Sequence, residues 1–482
     1  MNETISTAYK NESDRCDYIF NFGPISNKNG IVKFIDSSKG KESKVDININ
    51  VDDKDFAYGV RKKFPTIVAD IVDLAVAIHA SDRLAPHKLD QNQRCLHVVL
   101  PVRHPELLSA EPFLTKLKEL LDWATGSKWV FDFQKRKAPG RFVEKQLVLP
   151  IISESSEVAL WSGGLDALGG LYTRLQMYPE KSFVLFGSGS NNIVYANQER
   201  VAKKVQSIFP NRCDLCRVPI HFQDSGEYHK NKLSRGRGVV FTLLGAACAY
   251  LMGSQVLSIY ENGVGAINLP YRASAIGLDH SRSVHPLTLL MVSDVISELL
   301  GEKFQVKNPF LFWTKGQMCQ ALAKDNRIDL PPITMSCDSP HRQQPIQCGY
   351  CSSCILRKQS LAASKIEDKT RYIVPHGEPP KEDQTLYFRH MVAQVRTFQD
   401  LLTTSNEIDI QWETLTREFP VLDDIVDRTA ETESLSITDM QSSLVKLYQT
   451  YVSEWNMVKS IIERDLLDRD FAKIQQTFTV KS

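Results

Sequence analysis

No apolar run in this 482-residue chain approaches the length needed to span a bilayer, so no membrane partner is expected. The opening residues, Met1-Asn2-Glu3-Thr4, lack a basic segment followed by an apolar core, so no secretory signal is expected. No G-x-x-x-x-G-K-S/T phosphate loop occurs anywhere. Net charge is nearly absent at +1, which removes the global electrostatic case for nucleic-acid binding. Cysteine is too sparse for a disulfide scaffold: ten in all, four of them clustered, fit a reducing compartment with metal binding. A cytoplasmic location is the resulting expectation.

What is present is the composition of a soluble globular protein, 42% hydrophobic and 24% charged, at a length that suits about three domains. Charge is unevenly spread. Residues 373–482 carry 19 acidic and 11 basic side chains, a net of −8, which leaves +9 on residues 1–372. A basic body beside an acidic C-terminal part suits a body that handles phosphates and a tail that solvates or docks.

The chain is organised around Ser162-Gly163-Gly164-Leu165-Asp166, directly behind the apolar run Val158-Ala159-Leu160-Trp161. The run reads as a short buried strand, and Ala167 to Leu175 can continue as a helix. Paired glycines let the backbone turn and approach a ligand closely. The unpaired N–H groups of the following first turn then face an anion, helped by the helix dipole. An ordinary strand–turn–helix corner is the plainer reading of the same five residues. The segment resembles the SGG-x-D-S pyrophosphate loop of the PP-loop ATP pyrophosphatases, with Ala167 standing where that family usually has a second serine.

Residues 1–150 read as a separate α+β module. Val45, Ile47, Ile49 and Val51 alternate as in a half-exposed strand, and Ile67, Ile71, Leu74 and Ile78 share one face of a helix that Pro65 opens. The stretch from Lys135-Arg136-Lys137 to Arg141 reads as a solvated linker. From 151 to 372 strands and helices alternate, which predicts an α/β fold with a doubly wound parallel sheet. Such sheets bind ligands beyond the carboxyl ends of their strands. Leu160 and the second strand's end, Phe186-Gly187-Ser188, with the polar residues through Asn191 and Asn192, are therefore expected on the adenosine side of an ATP site. Lys232 to Gly238 opens an apolar helix and places Arg235 and Arg237 where an anion would bind. Glu261 and Asn262 end another strand, either to read a heterocycle edge or as a plain turn. Arg282 and His285 precede a further helix as weaker candidates. Thr314 and Gln317 predict a capping box, with Lys315 in the first turn.

Cys337, Cys348, Cys351 and Cys354 can close a tetrahedral thiolate site. Four ligands leave no open position, so the metal expected is structural zinc, with an iron–sulfur cluster as the alternative. Cys213 and Cys216 form a separate C-x-x-C, either incidental or redox-active or metal-binding. After Tyr372, Pro375, Gly377, Pro379 and Pro380 mark a linker into an acidic helical module over 373–482. Its last helix carries Leu444, Tyr448, Tyr451, Trp455, Val458 and Ile462 at four–three spacing. That stripe serves either as intramolecular core or as a face for a partner or a second copy in a homodimer.

Taken together, the loop and the cysteine cluster about 170 residues later are much more specific than either alone. The region 155–365 resembles the QueC-like family, the 7-cyano-7-deazaguanine synthases. The likeness runs through Ser162 to Asp166, Ser234 to Arg237, Pro309 to Lys315, and Ser336-Cys337 with Cys348 to Arg357. Gly238 falls where the family often has another residue. The flanking modules look more like the QueC-like proteins of bacterial anti-phage systems, the Qat component QatC and its relatives. The resemblance implies ATP, Mg²⁺ and structural Zn²⁺. It implies adenylation of a 7-deazaguanine carboxylate with release of pyrophosphate, then amide formation with an amine, in the defence branch the N-terminus of a partner protein. Ser162, Gly163, Gly164, Leu165, Asp166 and Ala167 would hold the pyrophosphate end, Arg235, Arg237 and Lys315 would be nearby cations, and Glu261 a candidate base. Alternatives are a 7-cyano-7-deazaguanine synthase using ammonia, a tRNA-modifying PP-loop enzyme, and a non-catalytic PP-loop scaffold.

Overall fold

A computed structural model describes residues 16–26, 30–36, 43–59, 64–86, 93–145, 156–189, 192–223, 231, 234–271, 282–338, 347–372 and 385–467. The expected module boundaries near 150 and 372, Asn191, Lys232-Leu233 and the Pro375–Pro380 linker lie outside the described residues.

The molecule is mixed α/β, with a large, parallel-rich sheet. Its strands are β1 (Tyr18–Phe22), β2 (Gly30–Asp36), β3 (Ser43–Val51), β4 (Cys95–Val102), β5 (Lys128–Lys135), β6 (Glu157–Leu160), β7 (Phe183–Gly189), β8 (Cys213–Gln223), β9 (Val256–Ser258) and β10 (Gln305–Lys307). Their order is β10-β9-β6-β7-β8-β3-β2-β1-β4-β5. The five strands after residue 150 pair in parallel, as the alternating pattern predicts. They do not stand apart from the N-terminal strands. Residues 213–219 of β8 pair with β7, and its remaining length, Ile220 to Gln223, pairs antiparallel with β3. The sheet therefore runs continuously through both parts.

The helix Thr66–Leu84 explains how the parts are fused. Sixteen of its nineteen residues are buried, so it is covered all round rather than on the single face that the isoleucine spacing predicts. It packs against the apolar helix Arg237–Leu251 in one shared core. A helix enclosed in this way carries its charges only as satisfied pairs. Asp70 and Asp73 pair with Arg103, and Asp73 also with Arg141, which reaches Asp53 at 2.8 Å. The side chain of Arg141 is fully buried and that of Arg136 nearly so, so these two arginines belong to an internal ion network, while Lys135 and Lys137 of the same stretch are exposed as expected. Cys16 and Cys95 are joined as a disulfide, one bond that the sparse-cysteine reading does not anticipate.

Cys213 and Cys216 sit three apart in β8, so their side chains leave opposite faces of the sheet. They enter different hydrophobic cores and cannot close on one metal or one disulfide. Burial pushes the Cys213 thiol up to about 12, and a hydrogen bond with Cys248 together with burial raises that of Cys216. Both are inert packing residues.

Helices Leu386–Leu402, Ile408–Glu418, Val421–Glu433 and Ile437–Leu467 form the C-terminal part. The stripe from Leu444 to Ile462 is buried throughout, inside a core shared with Ala266, Ile267, Leu287, Leu311 and Ile355 of the α/β part. It is intramolecular core. No helix among the described residues is long and apolar enough to cross a membrane.

Candidate active site

The Ser162–Asp166 turn joins β6 to the helix Leu165–Met177 at the carboxyl end of the parallel strands. Gly163 has φ of +71°, and a Cβ there would come within 2.7 Å of the Asn197 amide nitrogen, so only glycine fits. The Asn197 amide donates to the Gly163 carbonyl at 2.8 Å, which fixes the turn from the neighbouring helix. Gly164 is the N-cap and offers no capping side chain. The first-turn N–H groups are thereby available to an anion. The Gly164 N–H donates to the Ser162 hydroxyl at 3.1 Å, and that of Leu165 approaches Ser336 Oγ at 3.4 Å.

Asp166 is the centre of a charged cluster drawn from three elements. Its Oδ2 lies 2.7 Å from Lys315 Nζ, and its Oδ1 accepts from the Asn262 amide at 2.9 Å. The same amide reaches Glu261 Oε1 at 2.8 Å, so Asn262 bridges two carboxylates. Burial, then repulsion from Asp166, push the Glu261 carboxyl up to about 8 against the pull of Lys315 and Asn262. Burial alone would lower the Lys315 ammonium, but Asp166 and Glu261 outweigh it and hold it above its usual value. Lys315 is carried by the helix Lys315–Lys324, whose start is the expected Thr314–Gln317 capping box.

Ser162, Asp166, Glu261, Lys315 and Arg237 all line one cavity of about 730 Å³. Arg235 does not line it. Two residues from Arg237, it points instead toward Gly126. The turn carrying both arginines is held by the N-terminal part, where Asp82 accepts from Gly236 N at 2.8 Å and Ser234 Oγ at 2.7 Å. Leu160, Phe186, Gly187 and Ser188 lie at the ends of β6 and β7 but not on the cavity wall. Phe186 stacks on Phe56, Ser188 Oγ donates to the Val218 carbonyl, and Gly187 is covered by the Gln198 side chain. Ala167 is 3% exposed and packs into the core beneath the loop. His285 caps its own helix through Nδ1, and burial with the Arg282 charge brings its imidazole down to about 3, so it is neutral.

The four thiol sulfurs of Cys337, Cys348, Cys351 and Cys354 lie within 4.8 Å of one another. Two sulfur pairs are 3.9 and 4.0 Å apart. A tetrahedral zinc with bonds of about 2.3 Å requires sulfur separations of about 3.8 Å, so the donor set fits one zinc ion. Backbone N–H groups of Cys348 and Cys351 approach the Cys337 and Cys348 sulfurs at 3.4 and 3.3 Å, which suits thiolates. The cluster also braces the loop. Buried Arg357, one turn beyond Cys354, donates to Thr334 Oγ1 and Thr370 Oγ1 at 2.7 and 2.8 Å. Met335 N then reaches the Gly163 carbonyl at 3.2 Å. Asn197, Asp82 and Arg357 act at long range, and no local spacing in the sequence marks them.

No curated protein matches the chain. Residues 288–365 match the family described as QueC, queuosine biosynthesis protein QueC. The matched segment carries Lys315 and all four cysteines of the cluster.

Proposed function

We propose that this protein is a cytoplasmic PP-loop ATP pyrophosphatase that adenylates a 7-deazaguanine carboxylate and transfers the acyl group to an amine. The observation that carries the reading is the convergence of Ser162, Asp166, Glu261 and Lys315 on one cavity beside the thiolate cluster. A carboxylate is a poor electrophile, whereas its acyl phosphate is a good one. A carboxylate oxygen attacks the α-phosphorus, and pyrophosphate leaves with its electron pair. The loop N–H groups and the Lys315 ammonium stabilise that developing charge. Asp166 offers the carboxylate oxygen suited to Mg²⁺, which when bound would neutralise charge on the pyrophosphate. The amine nitrogen then attacks the acyl carbon, AMP leaves, and the nitrogen gives up a proton. Glu261, titrating near 8, is matched to accept it.

The extra N- and C-terminal parts favour a protein amine over ammonia, as in the anti-phage branch of the resembling family. Incubation with ATP, 7-carboxy-7-deazaguanine and candidate partner proteins, followed by intact-mass analysis, tests this. A mass gain on a partner's N-terminal residue supports conjugation. Free nitrile with unmodified protein returns the reading to nitrile synthesis. The tRNA-thiolation alternative loses its cysteines, because Cys213 and Cys216 are buried on opposite faces of β8.

A further inference from the structure

One backbone carbonyl in the Ser162–Asp166 turn receives two donors from distant parts of the chain. The Gly163 carbonyl accepts from the Asn197 amide at 2.8 Å and from Met335 N at 3.2 Å. Both donors lead back to Arg200, on the helix Asn192–Ile208. Its Nη2 donates to Asn197 Oδ1 and, at 2.8 Å, to the carbonyl of Ile333, two residues before Met335. The same helix holds the residue ahead of the turn, where the Trp161 indole donates to the Gln198 carbonyl at 2.9 Å.

A guanidinium only donates, so Arg200 draws the oxygen of the Asn197 amide and leaves its NH2 for Gly163. Asn197 is 1% exposed, so water does not compete for either end. The consequence falls on the next residue. In a trans peptide the carbonyl and the N–H point opposite ways, so fixing the Gly163 carbonyl also fixes the Gly164 N–H. Gly164 lines the cavity and Gly163 does not. A peptide between two glycines has no Cβ on either side to resist a flip. Flipped, it would set a carbonyl oxygen against phosphate oxygens.

We infer that Arg200 is a positioning residue for the anion-binding turn: through Asn197 and the Ile333–Met335 segment it keeps the Gly163 carbonyl out of the cavity and the Gly164 N–H toward an incoming phosphate. This rests on the pyrophosphate-loop reading and adds what keeps that loop receptive. Arg200 does not line the cavity, so it acts through the turn rather than on the ligand.

Full-length wild type, Arg200→Met, Asn197→Leu and the double variant are titrated calorimetrically with magnesium pyrophosphate and with AMP, after thermal melting has shown each to be folded. Each single variant is expected to bind pyrophosphate at least about 10-fold more weakly, the worth of one hydrogen bond to a charged group. Affinity for AMP, which lacks the pyrophosphate end, should stay within about twofold of wild type. The double variant should bind pyrophosphate no more weakly than Arg200→Met, because both changes release the same carbonyl. A loss caused only by the missing Arg200 charge would instead add to that of Asn197→Leu. If Arg200→Met does not fold, the neutral Asn197→Leu variant decides alone. Pyrophosphate affinity within about twofold of wild type in Asn197→Leu, additive losses, or an equal loss for AMP each overturn the inference. Absence of pyrophosphate binding by wild type overturns the loop reading and this inference with it.

Discussion

Lys315 Nζ lies 2.7 Å from Asp166 Oδ2, a contact between the first turn of one helix and the first turn of another. The pair is nearly enclosed, with side chains 6% and 13% exposed. Under the proposed function Lys315 has two tasks: it pairs with Asp166 before substrate arrives, and it then offers its charge to a phosphate. Replacing Lys315 with methionine should lower kcat for pyrophosphate release by about 100-fold or more, the scale of a lost electrostatic stabiliser. Steady-state kinetics check this, and a loss below about threefold would return Lys315 to a structural role.

Glu261 gives a pH-dependent prediction for the protein without nucleotide or magnesium. Its carboxyl titrates near 8 when folded, against an ordinary value near 4.5. Folding therefore takes up a proton between these values, and stability contributed by the neutral form is lost as pH rises from about 4.5 through about 8. Glu261→Gln keeps an oxygen that accepts from Asn262 and removes the charge. The variant should melt several degrees higher than wild type at pH 9, with the gap closing toward pH 4.5. Equal melting temperatures at both pH values would show that the carboxyl is not held neutral.

Metal content tests the thiolate cluster. One zinc per chain should be found by elemental analysis, and Cys351→Ser should reduce it to well below one. Because Arg357 and the Thr334–Ser336 segment link the cluster to Gly163, loss of zinc should also weaken binding of an ATP analogue. Full zinc occupancy in the serine variant would refute the assignment.

The C-terminal helix reaches the site through Glu454. Its Oε1 accepts from Thr314 Oγ1 at 2.6 Å and its Oε2 from the Gln359 amide at 3.1 Å. Glu454→Ala leaves two buried donors unpaired and removes an anion from the start of the Lys315 helix. Stability should fall by about 1–3 kcal/mol, measured by denaturant titration. A change below about 0.5 kcal/mol would mean that the contact adds nothing to the docking of these helices.

Local chemistry was legible in the sequence, and long-range pairing was not. The Ser162–Asp166 turn, the Thr314–Gln317 capping box and the four thiolates are each set by residues close in the chain, so spacing alone reveals them. The α/β alternation likewise announces a parallel sheet. By contrast, the joining of β3 to β8 depends on strands 162 or more residues apart, and nothing in either segment names the other. Charges misled at Arg136 and Arg141, because basic residues read as solvated until Asp53 and Asp73 are seen opposite them. Cys213 and Cys216 show that C-x-x-C depends on its backbone: a helix start gathers such thiols, whereas a strand splits them between faces. The aromatic stripe of the last helix left core and partner face open, since a periodicity cannot say what lies across from it; burial decides for core.

In the proposed reaction the turn after Trp161 grips the pyrophosphate end of ATP while an acid is activated beside it. Exchange of labelled pyrophosphate into ATP, measured with 7-carboxy-7-deazaguanine in wild type and in Asp166→Asn, tests it most directly. The account predicts acid-dependent exchange in wild type and a loss of at least about 100-fold in the variant. Equal exchange in both proteins, or none in wild type with a full zinc complement, would contradict it.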